Sequence, residues 1–139
     1  MQLPDFDRNA GLIRAIALDV DSKEVLMDAY MNEEAWMETL RTGFAVYYSR
    51  TRQKLWRKGE KSGNKQLVHE IRINCNGDSA LLFVKQLGGA ACHEGYHSCF
   101  YRRIARVDFE RAHGMPSLRL EQATIIAERI FDPVQVYEQ

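Results

Sequence analysis

Residues 13–43, IRAIALDVDSKEVLMDAYMNEEAWMETLRTG, decide the fold, because several local signals agree within this stretch. Two short runs rich in Ile, Val, Leu and Ala flank the polar turn at 21–23, a pattern typical of a β-hairpin. Asn32 is a suitable N-cap for the next segment, acidic residues occupy its first turn, and Gly43 provides a stop. The stretch therefore predicts a hairpin followed by a helix. The apolar side of this helix is expected to carry Ala35, Trp36 and Leu40.

The segments that follow predict further strands and one more helix. A turn-like sequence at 75–78 separates two of the strands, and SLRLEQATIIAERIF (117–131) is expected to form a helix capped by Ser117. We therefore expect an α+β protein, a single domain over residues 1–139 dominated by antiparallel β-sheet with one or two helices. Strand propensity is high in FAVYYSR (44–50), VHEIRIN (68–74), ALLFVKQL (80–87) and IARVDFE (104–110).

Composition limits the classes of protein that this chain can represent. Its 139 residues suffice for one core, and 45% hydrophobic with 27% charged residues is typical of an ordered globular protein. Nineteen basic residues balance nineteen acidic ones, which argues against a dedicated nucleic-acid binder or a membrane-surface protein. No apolar run approaches the length that crosses a bilayer, so we expect a cytoplasmic location and no membrane partner.

The three cysteines, Cys75, Cys92 and Cys99, are an odd number, which makes a disulfide framework a poor explanation. Count and spacing leave two interpretations open: buried thiols acting as small hydrophobes, or ligands of a metal. Cys92 and Cys99 lie in GGAACHEGYHSCFYR (88–102), a stretch too rich in glycine for a regular helix and suited to a loop that presents ligands. Thiolates favour zinc, and three protein ligands with water in the fourth position is the arrangement of a catalytic zinc site.

A second cluster of charge lies at residues 50–65, where seven basic residues accompany a single acid, Glu60. Arginine binds phosphate through two parallel hydrogen bonds, and Gly59, Ser62 and Gly63 allow backbone N–H groups to approach an anion. The segment thus has the properties of a local anion site, although a solvated charged loop is the plainer interpretation of such a run. Its basic residues are Arg50, Arg52, Lys54, Arg57, Lys58, Lys61 and Lys65.

Three motifs, in this order, resemble the phosphoribosyl-AMP cyclohydrolase family. They are VLMDAYMNEEAW (25–36), YYSRTRQKLWRKGEKSGNKQ (47–66) and GGAACHEGYHSCFYRR (88–103). The resemblance implies a family-like core at about 11–103 and a C-terminal extension at 104–139. It also implies zinc-dependent hydrolysis of the C6–N1 bond of the adenine ring in 1-(5-phosphoribosyl)-AMP, a step of L-histidine biosynthesis.

The resemblance further implies two metals and a subunit arrangement. The family is an intertwined homodimer with one zinc per subunit at the interface, which implies that Cys75 comes from one subunit and Cys92 and Cys99 from the other. It also carries magnesium on the turn around Cys75, held by three aspartates. Two formal charges are lost at this turn here, so we expect its magnesium to bind weakly. The residues that align with the three aspartates are Asn74, Asn76 and Asp78.

Chemistry and resemblance together suggest roles for further residues. Attack of water on C6 requires a group that moves protons, and His93, beside Cys92, is the first candidate because imidazole titrates near neutrality. Orienting the loop is the alternative role for His93, and His97 is a weaker catalytic candidate. Trp56 either stacks on the adenine or fills core. The resemblance implies substrate binding by Ser49, Arg50, Arg52, Trp56, Lys58, Glu60 and Ser62.

Two other functions are compatible with parts of the sequence. One is a non-catalytic zinc module that binds RNA or a nucleotide through the basic segment, although the balanced charge does not favour a nucleic-acid partner. The other is a paralogue that hydrolyses a different purine nucleotide, which the two missing carboxylates suggest.

Overall fold

The computed structural model describes residues 3–104, 109–112, 115–118 and 123–137. Its larger sheet consists of β1 (Ile13–Asp19), β2 (Val25–Met31), β3 (Val46–Ser49), β4 (Lys54–Arg57), β5 (Gln66–Ile73) and β6 (Ser79–Gln86). The six strands lie in the order β4-β3-β2-β1-β6-β5. Neighbours in this sheet are antiparallel except β1 and β6, which run parallel. The predicted α+β class, with a mostly antiparallel sheet, is confirmed.

The hairpin and helix predicted for residues 13–43 are both present. β1 pairs antiparallel with β2, and Lys23 in the turn between them has a φ of 64°. The helix α1 (Glu33–Thr42) begins after Asn32, whose side chain accepts a hydrogen bond from the backbone N–H of Ala35. It ends at Gly43, which adopts the left-handed conformation with a φ of 79°. Local capping chemistry therefore sets both ends of the helix.

The apolar side of α1 differs from the prediction at one position. Ala35, Trp36 and Thr39 are buried, whereas Leu40 is 54% exposed. At about 100° per residue, Thr39 falls within the arc bounded by Ala35 and Trp36, and Leu40 falls about 40° outside it. The Thr39 hydroxyl donates to the carbonyl of Ala35 and accepts from the backbone N–H of Val46, which ties the helix to β3.

The six-stranded sheet curls so that β5, at one end of the strand order, meets the residues that lead into β3. Just before β3, the Ala45 N–H donates to the Gln66 carbonyl at 3.0 Å, and the Val68 N–H donates to the Gly43 carbonyl at 2.9 Å. The part of the basic segment that follows β4, residues 58–65, therefore has a strand of the sheet at each end. The hydrophobic core includes Ile13, Leu26, Met31, Trp36, Val46, Tyr47, Leu82 and Val84.

The C-terminal part departs from the prediction. The helix expected at 117–131 is wrong over the described residues, because Ser117 lies in a strand and residues 124–125 form another. Residues 119–122 of that prediction, and 105–108 of the predicted strand at 104–110, lie outside the described part. The short elements here are β7 (Arg102–Arg103), β8 (Phe109–Ala112), β9 (Met115–Leu118), β10 (Thr124–Ile125) and α2 (Pro133–Tyr137).

Strand pairing explains the difference, with a distant strand for β10 and with the preceding strand for β9. β7 pairs antiparallel with β10, and β8 pairs antiparallel with β9. Such pairing, once available, outweighs a weak local helix propensity. Neither helix of the described part, α1 or α2, has the length and apolar character that crossing a bilayer requires.

Candidate active site

A cleft of ≈ 760 Å³ opens between the basic segment, the loop that carries Cys92, and α2. We call it the cleft. Its lining includes seven of the residues expected to bind substrate or move protons. These residues are Ser49, Arg52, Trp56, Lys58, Glu60, Ser62 and His93.

Arg50 is the expected substrate-binding residue that lies elsewhere. Its guanidinium stacks over the ring of Tyr30, 4.2 Å from the ring centroid. It lines a second, shallower cavity of ≈ 420 Å³ together with Asn32 and Gln53. The basic segment therefore presents its cations to two separate surfaces.

Lys58 links the cleft to the cysteines. Its ammonium lies 5.5 Å from the ring centroid of Trp56 and donates a hydrogen bond to the carbonyl of Ala91. Burial lowers the pKa of this ammonium, while the neighbouring thiols of Cys99 and Cys92 act in the opposite direction. Lys58 is 6% exposed, so its charge acts in a poorly solvated environment where electrostatic interactions are strong.

Trp56 combines features of the two roles expected for it, stacking on a ligand and filling the core. Its ring packs at a tilt against buried Tyr47, with the centroids 5.5 Å apart, yet the side chain is 37% exposed and lines the cleft. One part of the ring thus rests on the core while the remainder is available to a ligand.

A turn from Gly59 to Gly63 shapes the basic rim of the cleft, which is the side of the cleft formed by the basic segment. The Gly63 N–H donates to the Gly59 carbonyl at 2.8 Å, and the Glu60 N–H donates to the Arg57 carbonyl at 3.1 Å. Gly59 has a φ of +81°, and a Cβ there would lie 2.4 Å from the backbone nitrogen of Lys65. The turn therefore requires glycine both for its conformation and for the close approach of the chain.

Cys92 and Cys99 lie side by side. Burial, followed by the proximity of the Cys92 side chain, raises the pKa of the Cys99 thiol to about 12. The loop is held on β2 by the Cys99 N–H, which donates to the Leu26 carbonyl at 2.7 Å, and by Ser98, which donates to the Val25 carbonyl at 2.8 Å. Two thiols therefore lie close to each other and to the ammonium of Lys58, an arrangement compatible with buried thiols and with metal ligands.

Cys75 lies apart from this pair, on the turn between β5 and β6, and its side chain is exposed. The turn packs against the N-terminal segment, where the Asp5 N–H donates to the Gly77 carbonyl at 2.7 Å. Within the described residues of one chain, no three His, Cys, Asp or Glu side chains converge as a metal site would require. Two soft sulfur donors at Cys92 and Cys99 fit part of a tetrahedral zinc site, and the remaining ligand would have to come from beyond this set.

The three residues expected to hold magnesium, Asn74, Asn76 and Asp78, do not fit that ion as they stand. The Asn74 amide donates to one carboxylate oxygen of Asp78 at 2.7 Å, and Asn9 donates to the other at 3.3 Å. The guanidinium of Arg8 lies 3.7 Å from Asp78. Asn74 also accepts from the backbone N–H of Ser79 at 3.0 Å, so its oxygen already holds the turn. Asp78 is the single carboxylate of this turn, and protein groups surround it.

The two histidines of the loop differ in their surroundings. His93 is exposed, lines the cleft, and has Nε2 3.3 Å from the carboxylate of Glu94. His97 makes a hydrogen bond through Nδ1 to the Gly89 carbonyl, and its Nε2 lies 3.3 Å from Glu24. His93 thus faces the space where a ligand would bind, whereas His97 joins two loops.

Several residues that line the cleft are not predicted as site residues from the sequence. Lys61 and Arg57 belong to the basic run but were not singled out within it, and Glu94 is adjacent to His93. Pro133 and Tyr137 carried no signal, because the surrounding sequence did not indicate that α2 packs on the cleft. The residues added by the structure are Thr51, Arg57, Lys61, Glu94, Pro133 and Tyr137.

The sequence is similar to known proteins over most of its length. The family model described as Phosphoribosyl-AMP cyclohydrolase matches residues 27–101. The phosphoribosyl-AMP cyclohydrolase of Desulforapulum autotrophicum is 52% identical over 134 residues, which cover 96% of this chain and 97% of the relative. That of Desulfatibacillum aliphaticivorans is 45% identical over 135 residues, 97% of each chain. That of Bordetella parapertussis is 61% identical over 99 residues, 71% of this chain and 73% of the relative.

Proposed function

The chain belongs to the phosphoribosyl-AMP cyclohydrolase family of hydrolases, and we propose that it hydrolyses the C6–N1 bond of 1-(5-phosphoribosyl)-AMP as a zinc-dependent step of L-histidine biosynthesis. The observation that carries this proposal is the cleft, where the cations Arg52, Lys58 and Lys61 lie on the same surface as His93. Its polar and basic lining suits a small, doubly phosphorylated nucleotide.

Substrate binding is assigned to the basic rim. The substrate carries two phosphates, and Arg52 and Lys61 supply charge-assisted hydrogen bonds, with backbone N–H groups of the Gly59 turn nearby. Trp56 offers the exposed part of its ring for stacking on the adenine. Ser49, Glu60 and Ser62 complete the polar lining and are proposed to bind hydroxyl and amino groups of the nucleotide.

Zinc is assigned to Cys92 and Cys99 of one subunit and Cys75 of its partner in a homodimer. Support comes from the pairing of the first two thiols and from the exposure of the third on a distant turn. When bound, zinc lowers the pKa of a coordinated water towards ~7, which makes hydrolytic attack feasible at neutral pH. The buried ammonium of Lys58 would stabilise the thiolates of Cys92 and Cys99 through its charge.

Proton movement is assigned to His93. In the reaction water adds to C6 and loses one proton, which neutralises the positive charge of the ring. The C6–N1 bond then breaks with its electron pair on N1, and N1 gains a proton while the C6 oxygen loses its remaining one to become the carbonyl of a carboxamide. His93 accepts the proton that the water loses, and Glu94, 3.3 Å from Nε2, orients the imidazole. The substrate is proposed to occupy the cleft with C6 near His93 and its phosphates towards Arg52 and Lys61.

A second candidate function is hydrolysis of a different purine nucleotide by the same cleft. The turn at 74–78, with Asp78 as its single carboxylate, is the observation that favours it. A paralogue of this kind would retain the zinc and the proton-transfer residue but bind other substituents on the base.

One assay distinguishes the two candidates. Purified protein with zinc and magnesium is incubated separately with 1-(5-phosphoribosyl)-AMP and with AMP, and ring opening is followed by ultraviolet absorbance. We expect turnover of 1-(5-phosphoribosyl)-AMP alone, and loss of turnover in Cys92→Ser. Turnover of AMP in place of 1-(5-phosphoribosyl)-AMP would establish the paralogue, and turnover of neither would overturn the proposed reaction and exclude AMP as the alternative substrate.

A further inference from the structure

The C-terminal strap, residues 129–137, connects the two rims of the cleft. At one end, the Ile130 N–H donates to the Gly95 carbonyl at 2.6 Å, and Arg129 Nε donates to the Glu94 carbonyl at 2.9 Å. At the other end, Lys61 Nζ donates to the Tyr137 carbonyl at 2.9 Å. The strap therefore joins the loop that carries Cys92 and His93 to the basic rim.

The backbone conformation of the loop allows the strap to pack closely against it. Gly95 has a φ of +93°, and a Cβ at this position would lie 2.1 Å from the carbonyl oxygen of Phe131. A second contact is electrostatic, since the guanidinium of Arg129 lies 3.6 Å from the carboxylate of Glu94 and over the ring of Tyr96. The same carboxylate contacts His93, so Glu94 lies between the strap and the proposed proton-transfer residue.

Within the strap, Pro133 and Tyr137 line the cleft, whereas Val134 is 56% exposed and is not among the lining residues. The ring of Tyr137 packs at an angle against Phe131, with the centroids 6.0 Å apart, which restricts its orientation. An apolar wall of this kind beside charged groups is typical of nucleotide sites, where flat rings contact bases and sugars while cations hold phosphates.

We propose that Tyr137 is a further substrate-binding residue whose ring contacts the bound nucleotide, and that the strap positions it there. The inference rests on the proposed function, since it assigns a wall of the same cleft. The strap lies outside the residues 27–101 that match the family model, while the relative that aligns over 134 residues necessarily spans most of it. A substrate with two phosphoribosyl arms extends away from the base on two sides, and the strap encloses one of them.

Kinetics of three single variants test this proposal. Tyr137→Ala should raise KM for 1-(5-phosphoribosyl)-AMP about five- to ten-fold while kcat stays within about two-fold, because the ring binds substrate without taking part in bond breaking. Tyr137→Phe keeps the ring and should restore the wild-type KM. Val134→Ala is the matched control on the same short helix and should leave both constants unchanged.

Binding of AMP, measured by calorimetry on the full chain, supplies a readout independent of turnover. Tyr137→Ala should weaken AMP binding relative to wild type and to Val134→Ala. Wild-type KM together with wild-type AMP affinity in Tyr137→Ala would overturn the proposal, as would an equal loss in Val134→Ala. If wild type opened no ring yet bound AMP through Tyr137, the hydrolase assignment would fall and the contact would stand.

Discussion

Tyr47 donates a 2.6 Å hydrogen bond to the side-chain oxygen of Gln66, and both side chains are fully buried. Gln66 donates in turn to Gln86 at 2.9 Å, and Gln86 donates to the carbonyl of Asn64 at 2.8 Å. This polar chain crosses from β3 through β5 and β6 to the end of the basic segment. It therefore fixes the rim of the cleft to the core of the sheet.

Tyr47→Phe should lower the free energy of unfolding by about 1–3 kcal/mol, because it leaves the buried oxygen of Gln66 without its donor. Urea denaturation followed by circular dichroism measures the change. Tyr48→Phe, at the next position of the same strand and only half-buried, is the matched control and should cost less. Equal stability of wild type and Tyr47→Phe would mean that this chain of hydrogen bonds does not stabilise the fold.

The same substitution has a pH signature. Burial raises the pKa of Tyr47 far above the value of about 10 for an unfolded tyrosine, so the folded state keeps the neutral phenol. The contribution of the neutral Tyr47 phenol to the free energy of unfolding is fully present below pH ~10. It is lost as the pH rises, because Tyr47 ionises in the unfolded chain before it does so in the folded state. The stability difference between wild type and Tyr47→Phe should therefore shrink between about pH 9.5 and 11. A constant or growing difference over this range would contradict the assignment.

The parts of the fold that the sequence predicted are those set by neighbouring residues. Asn32 and Gly43 bound α1 through contacts within a few positions, and the hairpin turns at 21–23. The parallel pairing of β1 with β6 and the curl that joins Ala45 to Gln66 depend on distant residues, and no local pattern encodes them. The same reason explains why the local pattern at 124–125 predicts a helix where the structure has a strand paired with β7.

Part of the candidate site is likewise set by neighbouring residues, and part of it depends on distant ones. Cys92, Cys99 and His93 lie in one loop and could be recognised together from the sequence. Tyr137 could not be recognised in this way. It reaches the cleft because the strap packs on the loop, where the carbonyl of Phe131 approaches Gly95 closely. Such packing at short range between distant parts of the chain is visible only in three dimensions.

Arg52→Ala should raise KM for 1-(5-phosphoribosyl)-AMP about ten-fold or more, because a charge-assisted hydrogen bond to phosphate is lost. The zinc content, measured by metal analysis, should stay at the wild-type value, since Arg52 acts on the substrate. Lys54→Ala removes a charge from the same basic segment at a position outside the cleft lining and is the matched control. Similar kinetics in both variants would return the segment to the interpretation of a solvated loop.

Subunit mixing tests the shared zinc site. If Cys75 comes from one subunit and Cys92 and Cys99 from the other, a dimer of Cys75→Ser with Cys92→Ser should contain one intact site of two. Zinc and activity should recover to about half in such mixed dimers. Mixing Cys92→Ser with Cys99→Ser should give no recovery, because both changes damage the same share of each site. Equal recovery in the two mixtures, or none in either after demonstrated exchange, would exclude the shared arrangement.

The last prediction concerns the turn at 74–78, where the side-chain amide of Asn74 stabilises the charged carboxylate of Asp78 by a hydrogen bond. Its amide hydrogen bond lowers the pKa of Asp78, assisted by Asn9 and by the charge of Arg8. The turn is therefore stable without a divalent cation, and magnesium should leave the melting temperature of the wild-type protein almost unchanged. Asn74→Asp with Asn76→Asp replaces this amide by a carboxylate beside Asp78, and the resulting like-charge repulsion should lower the melting temperature by roughly 2–5 °C without metal.

Magnesium should reverse that loss, because a ligand that binds only the folded state stabilises it and hard oxygen donors suit this ion. Thermal unfolding of both proteins across a magnesium series, with sodium chloride at matched ionic strength, separates binding from simple screening. The double variant should also reach half-maximal rate at a lower magnesium concentration than wild type. If magnesium stabilised both proteins equally, the amide of Asn74 would not be substituting for a cation, and if it stabilised neither, this turn would not be a magnesium site even with its carboxylates restored.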